Sequence, residues 1–169
     1  MSRPTAAVAG PADRRAVAEL RTRVFVDEQG VPPEIEQDDA DAAAVHVISR
    51  ADDGRVVATG RLLLAPGSTT ATIGRMAADA AVRGGGHGAA VLAELHRQAA
   101  ARGIAEIELH AQVSARAFYE RAGYLAVGDE YLEAGIAHIT MRRVLPAPGG
   151  ADVTDRSGVG ETRPVRPAE

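Results

Sequence analysis

The amino-acid sequence predicts a mixed α/β (α+β) fold in a single domain over residues 1–145. Three observations predict it. Short runs of strand character alternate with stretches of helical periodicity, the turn Asp52-Asp53-Gly54 separates two of these runs as in a hairpin, and a glycine-rich turn joins another run to a helical stretch. With 169 residues, 46% of them hydrophobic, the chain can bury one substantial core.

The first half of the chain predicts one helix among several strands. Asp13–Gln29 carries apolar residues at helical spacing and is followed by Gly30 and Pro32, which are typical stop signals. The next stretch, Val31–Ala44, is acidic, and a simple surface loop is one of two interpretations of its run Glu34–Asp41. Strands are predicted at Thr5–Val8, Val45–Ser49, Val56–Leu64 and Thr72–Ala78.

The second half predicts two helices and a further group of strands. Ala89–Arg102 has a helical apolar face, and Gly103 can end that helix in a left-handed cap. A short helix is predicted at Ser114–Ala122, with Ser114 as its N-terminal cap and Gly123 closing it. Strands are predicted at Glu106–Gln112, Tyr124–Val127, Tyr131–Glu133 and Ala137–Arg143.

Composition excludes several classes of protein. The net charge of -4 gives no basic footprint, so nucleic acid is not expected as a partner. No apolar run approaches the ~20 residues that cross a bilayer, and no signal-like segment follows Met1, so we expect a cytoplasmic protein without a membrane partner. The absence of cysteine excludes disulfides and a thiolate nucleophile. Residues 146–169 are rich in Pro, Gly and charge and predict a disordered tail.

The glycine-rich turn is the most informative local pattern. It reads Arg83-Gly84-Gly85-Gly86-His87-Gly88 between a predicted strand and a predicted helix. Free N–H groups of a first helical turn and the helix dipole favour an anion there. A dinucleotide fingerprint starting at Gly84 would need glycine where Ala89 stands, and no Gly-Lys pair followed by Ser or Thr forms a nucleotide-triphosphate loop. An ordinary glycine-rich turn remains the alternative.

The spacing Arg83-x-x-Gly86-x-Gly88 resembles the acyl-coenzyme A pyrophosphate loop of the GNAT N-acetyltransferase superfamily. About thirty residues later, Phe118–Tyr124 resembles the Phe-Tyr-x-x-x-Gly-Phe element of that superfamily. Other segments look like its ElaA-like branch, and the resemblance extends over Leu20–Arg143. Those segments are Arg23–Gln29, Glu36-x-Asp38-x-x-Asp41, Val45-His46-Val47, Leu109–Gln112 and Gly135-Ile136-x-His138. The resemblance implies a GNAT fold, with a central mixed, mostly antiparallel sheet flanked by helices.

The resemblance also implies a function and a set of site residues. Proteins of this kind transfer an acetyl group from acetyl-CoA to a primary amine. Tyr119 would be the general acid toward the leaving thiolate, because a phenol stays protonated at neutral pH. Gln112 stands where many relatives have an asparagine that contacts the pantetheine arm. The expected cofactor-binding residues are therefore Met76, Ala77 and Ala78 at a strand bulge, Arg83, Gly84, Gly85, Gly86, His87 and Gly88 at the pyrophosphate, and Gln112 and Tyr119.

The general base stays open at this point. Candidates that can accept an ammonium proton are Glu28, Glu36, His46, His110 and His138, of which we select Glu28 and His138 as possible catalytic residues. Each also has a structural interpretation, as a solvated carboxylate or a hydrogen-bonded histidine. No ligand spacing supports a metal site, so none is expected. In a GNAT fold the acidic stretch would border the acceptor groove, where carboxylates favour a cationic amine.

Two hypotheses of different classes follow. The first is an N-acyltransferase that uses direct attack in a ternary complex, because the chain has no cysteine and no nucleophile elbow. Its acceptor would be a small-molecule or peptide amine. The second is a non-catalytic acyl-CoA-binding or regulatory module, which would not need Tyr119. Regular edge strands and an alanine-rich helix would permit a homodimer.

Overall fold

Seven strands form one sheet in the part of the chain that the computed structural model describes, residues 3–146. The strand order is β1-β2-β3-β4-β5-β7-β6, and every neighbouring pair is antiparallel except β4 and β5. The mixed, mostly antiparallel sheet is therefore confirmed. Apart from Pro146, the predicted tail lies outside the described residues. The strands are Ala6–Val8 (β1), Val45–Arg50 (β2), Val56–Leu64 (β3), Thr70–Ala78 (β4), Glu106–Gln112 (β5), Leu125–Glu133 (β6) and Ile136–Val144 (β7).

Helices cover both faces of this sheet. They are Arg14–Arg21 (α1), Pro33–Glu36 (α2), His87–Ala101 (α3) and Arg116–Arg121 (α4), with a π-helix at Thr22–Glu28 that continues α1. Short 3-10 turns lie at Pro11–Asp13, Asp39–Ala42, Ala80–Val82 and Val113–Ala115. The single helix predicted over Asp13–Gln29 is thus confirmed in extent, although its last seven residues form the wider π-helix.

The two faces of the sheet carry two separate cores, and alternation along β2 assigns residues to them. Val47 packs with the buried face of α3, which includes Leu95. Its neighbour Ile48 points to the opposite face and packs with Leu20 of α1 and Phe25 of the π-helix. Period-two alternation of this kind is what places successive strand residues on opposite sides of a sheet.

Two of the local predictions are wrong. Ser114 does not cap α4, because the helix begins two residues later and Ala115 takes the cap position without a side-chain hydrogen bond. The two strands predicted around residues 124–133 are one strand, β6, with a break in its register between Val127 and Tyr131. Gly128 lies inside that break with a φ of 78°, a conformation that suits glycine and lets the strand continue past the bulge.

The cleft that matters for function begins where β4 leaves β5. These strands pair only from Thr70 to Ile73 on β4, whereas β4 stays paired with β3 as far as Ala78. A bulge opposite Gly60 helps to redirect β4, since Arg75 and Met76 together oppose that single residue. A Cβ on Gly60 would lie 2.8 Å from Leu95 Cδ1 and would also collide with the Met76 sulfur, so a larger residue would force these side chains to move.

The acidic stretch is not a simple solvated surface loop, one of the two interpretations of its run Glu34–Asp41. Glu36 is only 3% exposed and forms an ion pair with Arg21, which is itself 4% exposed. Composition cannot reveal this arrangement, because the arginine partners lie on α1, β3 and β4. The network comprises three arginines and three carboxylates: Arg21, Arg61 and Arg75 with Glu36, Asp38 and Asp41.

Asp41 lies between two of these arginines. It accepts hydrogen bonds of 2.7 Å from Nη1 of both Arg21 and Arg61. Burial raises the pKa of Asp41, but the bonds from Arg21 and Arg61 outweigh that effect and lower its pKa to about 2. Arg61 also binds both oxygens of Asp38, at 2.6 and 2.7 Å, and this contact lowers the pKa of Asp38. The acidic stretch is therefore held against α1 and the sheet by charge-assisted hydrogen bonds.

We expect Glu36→Gln to lower the free energy of unfolding by about 3 kcal/mol, because removing one member of a buried ion pair leaves the other charge poorly compensated. Urea unfolding followed by circular dichroism measures this change. The matched control is Glu34→Gln, two residues away and exposed, for which a change within about 0.5 kcal/mol is expected. Equal effects of the two substitutions would contradict the structural role given to Glu36.

Candidate active site

A cleft of about 700 Å³ runs along the separated ends of β4 and β5. Arg83 of the glycine-rich turn lies at one end, and Ala134 in the β6–β7 hairpin lines another part. Ile35 and Glu36 contribute a wall from the acidic stretch. Beyond Ile73 the β5-facing edge of β4 has no partner strand, so its main-chain groups are available to a ligand.

The glycine-rich turn forms a cradle of main-chain amides. Gly84 and Gly86 have φ values of 82° and 93°, so the path of the turn depends on residues that tolerate the left-handed region. The amides of Gly86, His87 and Gly88 donate to no acceptor within residues 3–146, as expected at the start of a helix. The helix that follows has fifteen residues, so its dipole adds positive potential at the same place. This donor set suits a pyrophosphate.

The two charged or titratable side chains of the turn are engaged within the protein. Arg83 pairs with Glu28, with 2.7 Å between Nη2 and Oε2, and donates from Nε to the Ala78 carbonyl. The His87 imidazole is held by Ser49 on β2, with 2.7 Å between Nδ1 and the Ser49 hydroxyl. Their predicted contacts with pyrophosphate stay predictions, and the Arg83 side chain, which is about half exposed, borders the cleft.

The bulge predicted at Met76, Ala77 and Ala78 lies slightly earlier in the structure. It consists of Arg75 and Met76, and Arg75 has a φ of 54°, which is unusual for a residue other than glycine. Ala77 and Ala78 are regularly paired with β3. All three predicted residues line the cleft, and so does Arg75, which sequence reasoning did not select.

Tyr119 lies on α4 with its ring in the core and its hydroxyl unpaired. The residue is 7% exposed and its ring packs edge-on against Phe118 and Tyr124. Within residues 3–146 the hydroxyl has no hydrogen-bond partner, yet it is not sealed in the interior, since Tyr119 lines the cleft. Burial raises the pKa of Tyr119, so the phenol keeps its proton. A proton donor is therefore available at the cleft wall.

Gln112, the predicted pantetheine contact, ends β5 at the cleft. Its Nε2 donates to Oε1 of Gln29 at a distance of 2.7 Å. Gln29 follows the π-helix and also lines the cleft. Sequence reasoning did not predict this contact, because the two residues are 83 positions apart and no local pattern relates them.

Two of the five candidate bases already have partners within the fold. Glu36 is paired with Arg21 deep in the ionic network, and His46 donates from Nε2 to the Asp41 carbonyl at 2.9 Å. Glu28 remains near the surface but is paired with Arg83 beside the glycine-rich turn. Neither His46 nor Glu28 is among the residues that line the cleft, and the carboxylate of Glu36 is held in its ion pair.

His138 is better arranged to accept a proton. Its Nδ1–H donates to the carbonyl of Ile136 at 2.7 Å, so the neutral ring carries its lone pair on Nε2. Nε2 lies 3.7 Å from Glu133 Oε2, and the ring stacks on Tyr131. His138 lines the cleft, with its side chain 11% exposed. His110 also lines it, but about half of that side chain is exposed and its Nε2 lies 3.4 Å from Glu108.

The acidic stretch contributes less negative charge to the cleft than its composition suggests. Glu36, Asp38 and Asp41 are each paired with arginine, so the network of three arginines and three carboxylates carries no net charge. Glu133 adds a carboxylate at the β6–β7 hairpin, where sequence reasoning did not look for one. The expectation that the acidic stretch itself attracts an amine is therefore not supported by the contacts.

Two further findings concern the described residues. Between Arg3 and Pro146, no three histidine or acidic side chains are grouped so that they could hold a metal ion. None of the helices in that range is long and apolar enough to span a membrane.

Comparisons with known proteins agree with this geometry. The family model described as an acetyltransferase (GNAT) domain matches residues 12–145. A UPF0039 protein of Mycobacterium tuberculosis is 36% identical over 151 residues, which cover 83% of this chain and 90% of that protein. The uncharacterized N-acetyltransferase YjcF of Bacillus subtilis is 32% identical over 125 residues, covering 73% of this chain and 87% of YjcF.

Solved structures show the same similarity. An acyl-CoA N-acyltransferase from Pseudomonas aeruginosa superposes with a TM-score of 0.69 and 36% identity, covering 83% of this chain and 99% of the other. ElaA from Escherichia coli superposes with a TM-score of 0.72 and 26% identity, again covering 83% and 99%. These neighbours agree with the predicted GNAT fold and with the ElaA-like branch.

We expect Gly88→Val to raise the Kd for coenzyme A at least about tenfold with little change in thermal stability. The φ of Gly88 is not in the left-handed region, and an added Cβ meets only Phe118, at 3.7 Å, so the variant can fold. The methyl groups of the valine narrow the space beside the amides that would bind the pyrophosphate. Isothermal titration calorimetry measures the Kd. Gly86→Val is a poorer test, because the φ of 93° adds backbone strain.

The matched control is Ala93→Val on the exposed face of the same helix, which introduces the same β-branched residue away from the turn. Its Kd should equal that of the unmodified protein. If Gly88→Val folds and binds coenzyme A normally, the cradle has been assigned to the wrong residues.

Proposed function

Because the chain belongs to the GNAT acetyltransferase family, whose members use acyl-coenzyme A, we propose that it transfers an acetyl group from acetyl-CoA to a primary amine. One observation carries the proposal. A single cleft is lined by the unpaired edge of β4 and by Tyr119, and it reaches Arg83, the residue that begins the turn with the free amides. The acceptor is a small-molecule or peptide amine, and it attacks the thioester directly in a ternary complex.

The cofactor fits the residues present. The pyrophosphate would be held by the amides at the start of α3, and the pantetheine arm by the free edge of β4 and by Gln112. When bound, acetyl-CoA supplies an acetyl group activated as a thioester. The chain's own task is to orient that group, to remove a proton from the amine and to return one to the departing sulfur.

Tyr119 is the proposed proton donor. Because burial keeps the proton on its Oη, the phenol is in its donor form at neutral pH. It donates to the sulfur as the bond between carbon and sulfur breaks, which stabilises the charge that develops there. Its ring is fixed by edge contacts with Phe118 and Tyr124, so the hydroxyl needs little reordering before it acts.

His138 is the proposed proton acceptor. Its Nδ1–H bond to the Ile136 carbonyl fixes the ring and leaves Nε2 free to take a proton from the ammonium group of the acceptor, directly or through a water molecule, so that the neutral amine can attack. Once Nε2 is protonated, the Glu133 carboxylate stabilises the positive charge. Glu28 is the second candidate, but its pair with Arg83 makes it less available.

We expect Tyr119→Phe to lower the rate of thiol release in single-turnover experiments about 10²-fold, with nearly unchanged affinity for coenzyme A. The substitution keeps the ring packing and removes only the hydroxyl. Single-turnover conditions with an amine found in a panel of small amines and peptides expose the chemical step, which product release would otherwise mask. Tyr124→Phe is the matched control, because its hydroxyl is bonded to His96 instead.

Four other results would change the conclusion. A loss of affinity without a loss of rate would make the hydroxyl a cofactor contact, and an unchanged single-turnover rate would remove Tyr119 from the mechanism. If coenzyme A raises the Tm of the unmodified protein but no amine in the panel causes thiol release, a non-catalytic acyl-CoA-binding module is favoured. Ping-pong kinetics would contradict direct attack.

We expect His138→Asn to lower the single-turnover rate at least about 10²-fold, because asparagine can still donate to the Ile136 carbonyl but has no basic nitrogen. The same thiol-release assay measures the rate. His110→Asn is the comparison, since that imidazole lines the same cleft. A larger loss in His110→Asn than in His138→Asn would move the base to His110.

A further inference from the structure

Gln29 and Gln112 join two walls of the cleft through their side-chain amides. Gln112 is the last residue of β5, and Gln29 is the residue at which the π-helix ends. Nε2 of Gln112 donates to Oε1 of Gln29 at 2.7 Å, and both residues line the cleft. Gln112 lies three residues beyond Leu109, the last residue of β5 that pairs with β4.

The pair leaves one NH₂ group and one carbonyl oxygen without a partner. Each primary amide has a carbonyl oxygen and an NH₂ group, and their mutual bond engages the oxygen of Gln29 and the NH₂ of Gln112. Within residues 3–146 the Gln29 NH₂ and the Gln112 oxygen have no other hydrogen bond. If both side-chain amides were rotated by 180°, one NH₂ group and one carbonyl oxygen would again be free. The set of free groups therefore does not depend on the orientation of the amides.

We propose that Gln29 is a binding residue for the pantetheine arm and that, with Gln112, it forms a clamp for one secondary amide of that arm. A secondary amide presents one N–H donor and one carbonyl acceptor, which is the complement of the free groups on the pair. In this arrangement the Gln29 NH₂ donates to the carbonyl of the arm, and the Gln112 oxygen accepts its N–H. The proposal rests on the proposed use of acyl-coenzyme A.

The local backbone holds Gln29 over the cleft. Gly30 follows it with a φ of 72°, and the amides of Gly30 and Val31 donate back to Val26 and Phe25, at 3.0 and 2.9 Å. On the other side of Gln29, Glu28 is tied to Arg83. The end of the helical segment is therefore fixed at both neighbours of Gln29. The Gln29 side chain is partly buried, so few water molecules have to leave it when a ligand amide binds.

The clamp also explains why residue 112 is a glutamine. An asparagine there would be one methylene shorter and would withdraw its amide from Gln29. The bond to Gln29 therefore gives the longer side chain a specific purpose, which is to place its amide within 2.7 Å of the opposite wall.

The test is calorimetric binding of two probes to Gln29→Met, which keeps the side-chain length and loses the amide. The probes are coenzyme A and its nucleotide half, which lacks the pantetheine arm. We expect the Kd for coenzyme A to rise about tenfold, since the loss of hydrogen bonds to one amide is of that size, while the Kd for the nucleotide half stays unchanged. Gln37→Met, an exposed glutamine outside the cleft lining, is the matched control and should change neither Kd.

A second variant, Gln29→Asn, keeps the amide but shortens the side chain, and it should weaken coenzyme A binding in the same direction. An unchanged or tighter Kd for coenzyme A in Gln29→Met overturns the proposal, because Gln29 would then be only a brace or an obstacle. Equal weakening of both probes overturns it as well, since the effect would not be specific for the arm. If the unmodified protein binds neither probe, the proposed function itself fails, which separates that failure from a failure of the clamp.

Discussion

The cleft depends on one difference in strand pairing: β4 is bonded to β3 along most of its length but to β5 only as far as Ile73. The bulge at Arg75 and Met76 redirects β4, and Gly60 makes room for it because any side chain there would strike Met76 and Leu95. Main-chain groups at the free edge still need hydrogen-bond partners, which only water or a ligand can supply. The architecture thus exposes to a ligand main-chain groups that a neighbouring strand would hydrogen-bond in a regular sheet.

The same bulge connects the cofactor side of the cleft with its far wall. Arg75, in its unusual left-handed conformation, donates to the carbonyls of Ile35 and Glu36, both at 3.1 Å. It thereby joins the ionic network that fixes the acidic stretch to α1 and β3. Strained residues persist where surrounding contacts over-determine them, and here the bonds to the acidic stretch supply such contacts. The residue that helps to open the cleft also holds one of its walls in place.

The sequence alone predicts those features that depend on local signals. Apolar alternation located the strands, and the glycines located the turn, because both act over a few residues. The prediction that Ser114 caps α4 was wrong because the type of a capping residue does not determine where a helix begins. The bulged strand β6 was predicted as two strands because Gly128 interrupts the pattern of strand-forming residues. The burial of Glu36, the bulge at Arg75 and the contact between Gln29 and Gln112 depend on partners far away in the chain, for which no local pattern exists.

Most charged side chains around the cleft are paired with one another, and most groups left free for a ligand are neutral. This arrangement suits acyl transfer. Apart from Glu133, the arginines and carboxylates around it, including Arg83 with Glu28, are paired within the protein. The other free groups are neutral: main-chain amides, the phenol of Tyr119 and the amides of the glutamine pair. Neutral donors lose less free energy than ions when a ligand displaces water from them. They remain oriented in its absence, because their positions are set by the backbone or by core packing. Neutral donors of this kind can stabilise a charge that develops during reaction without adding an uncompensated charge themselves.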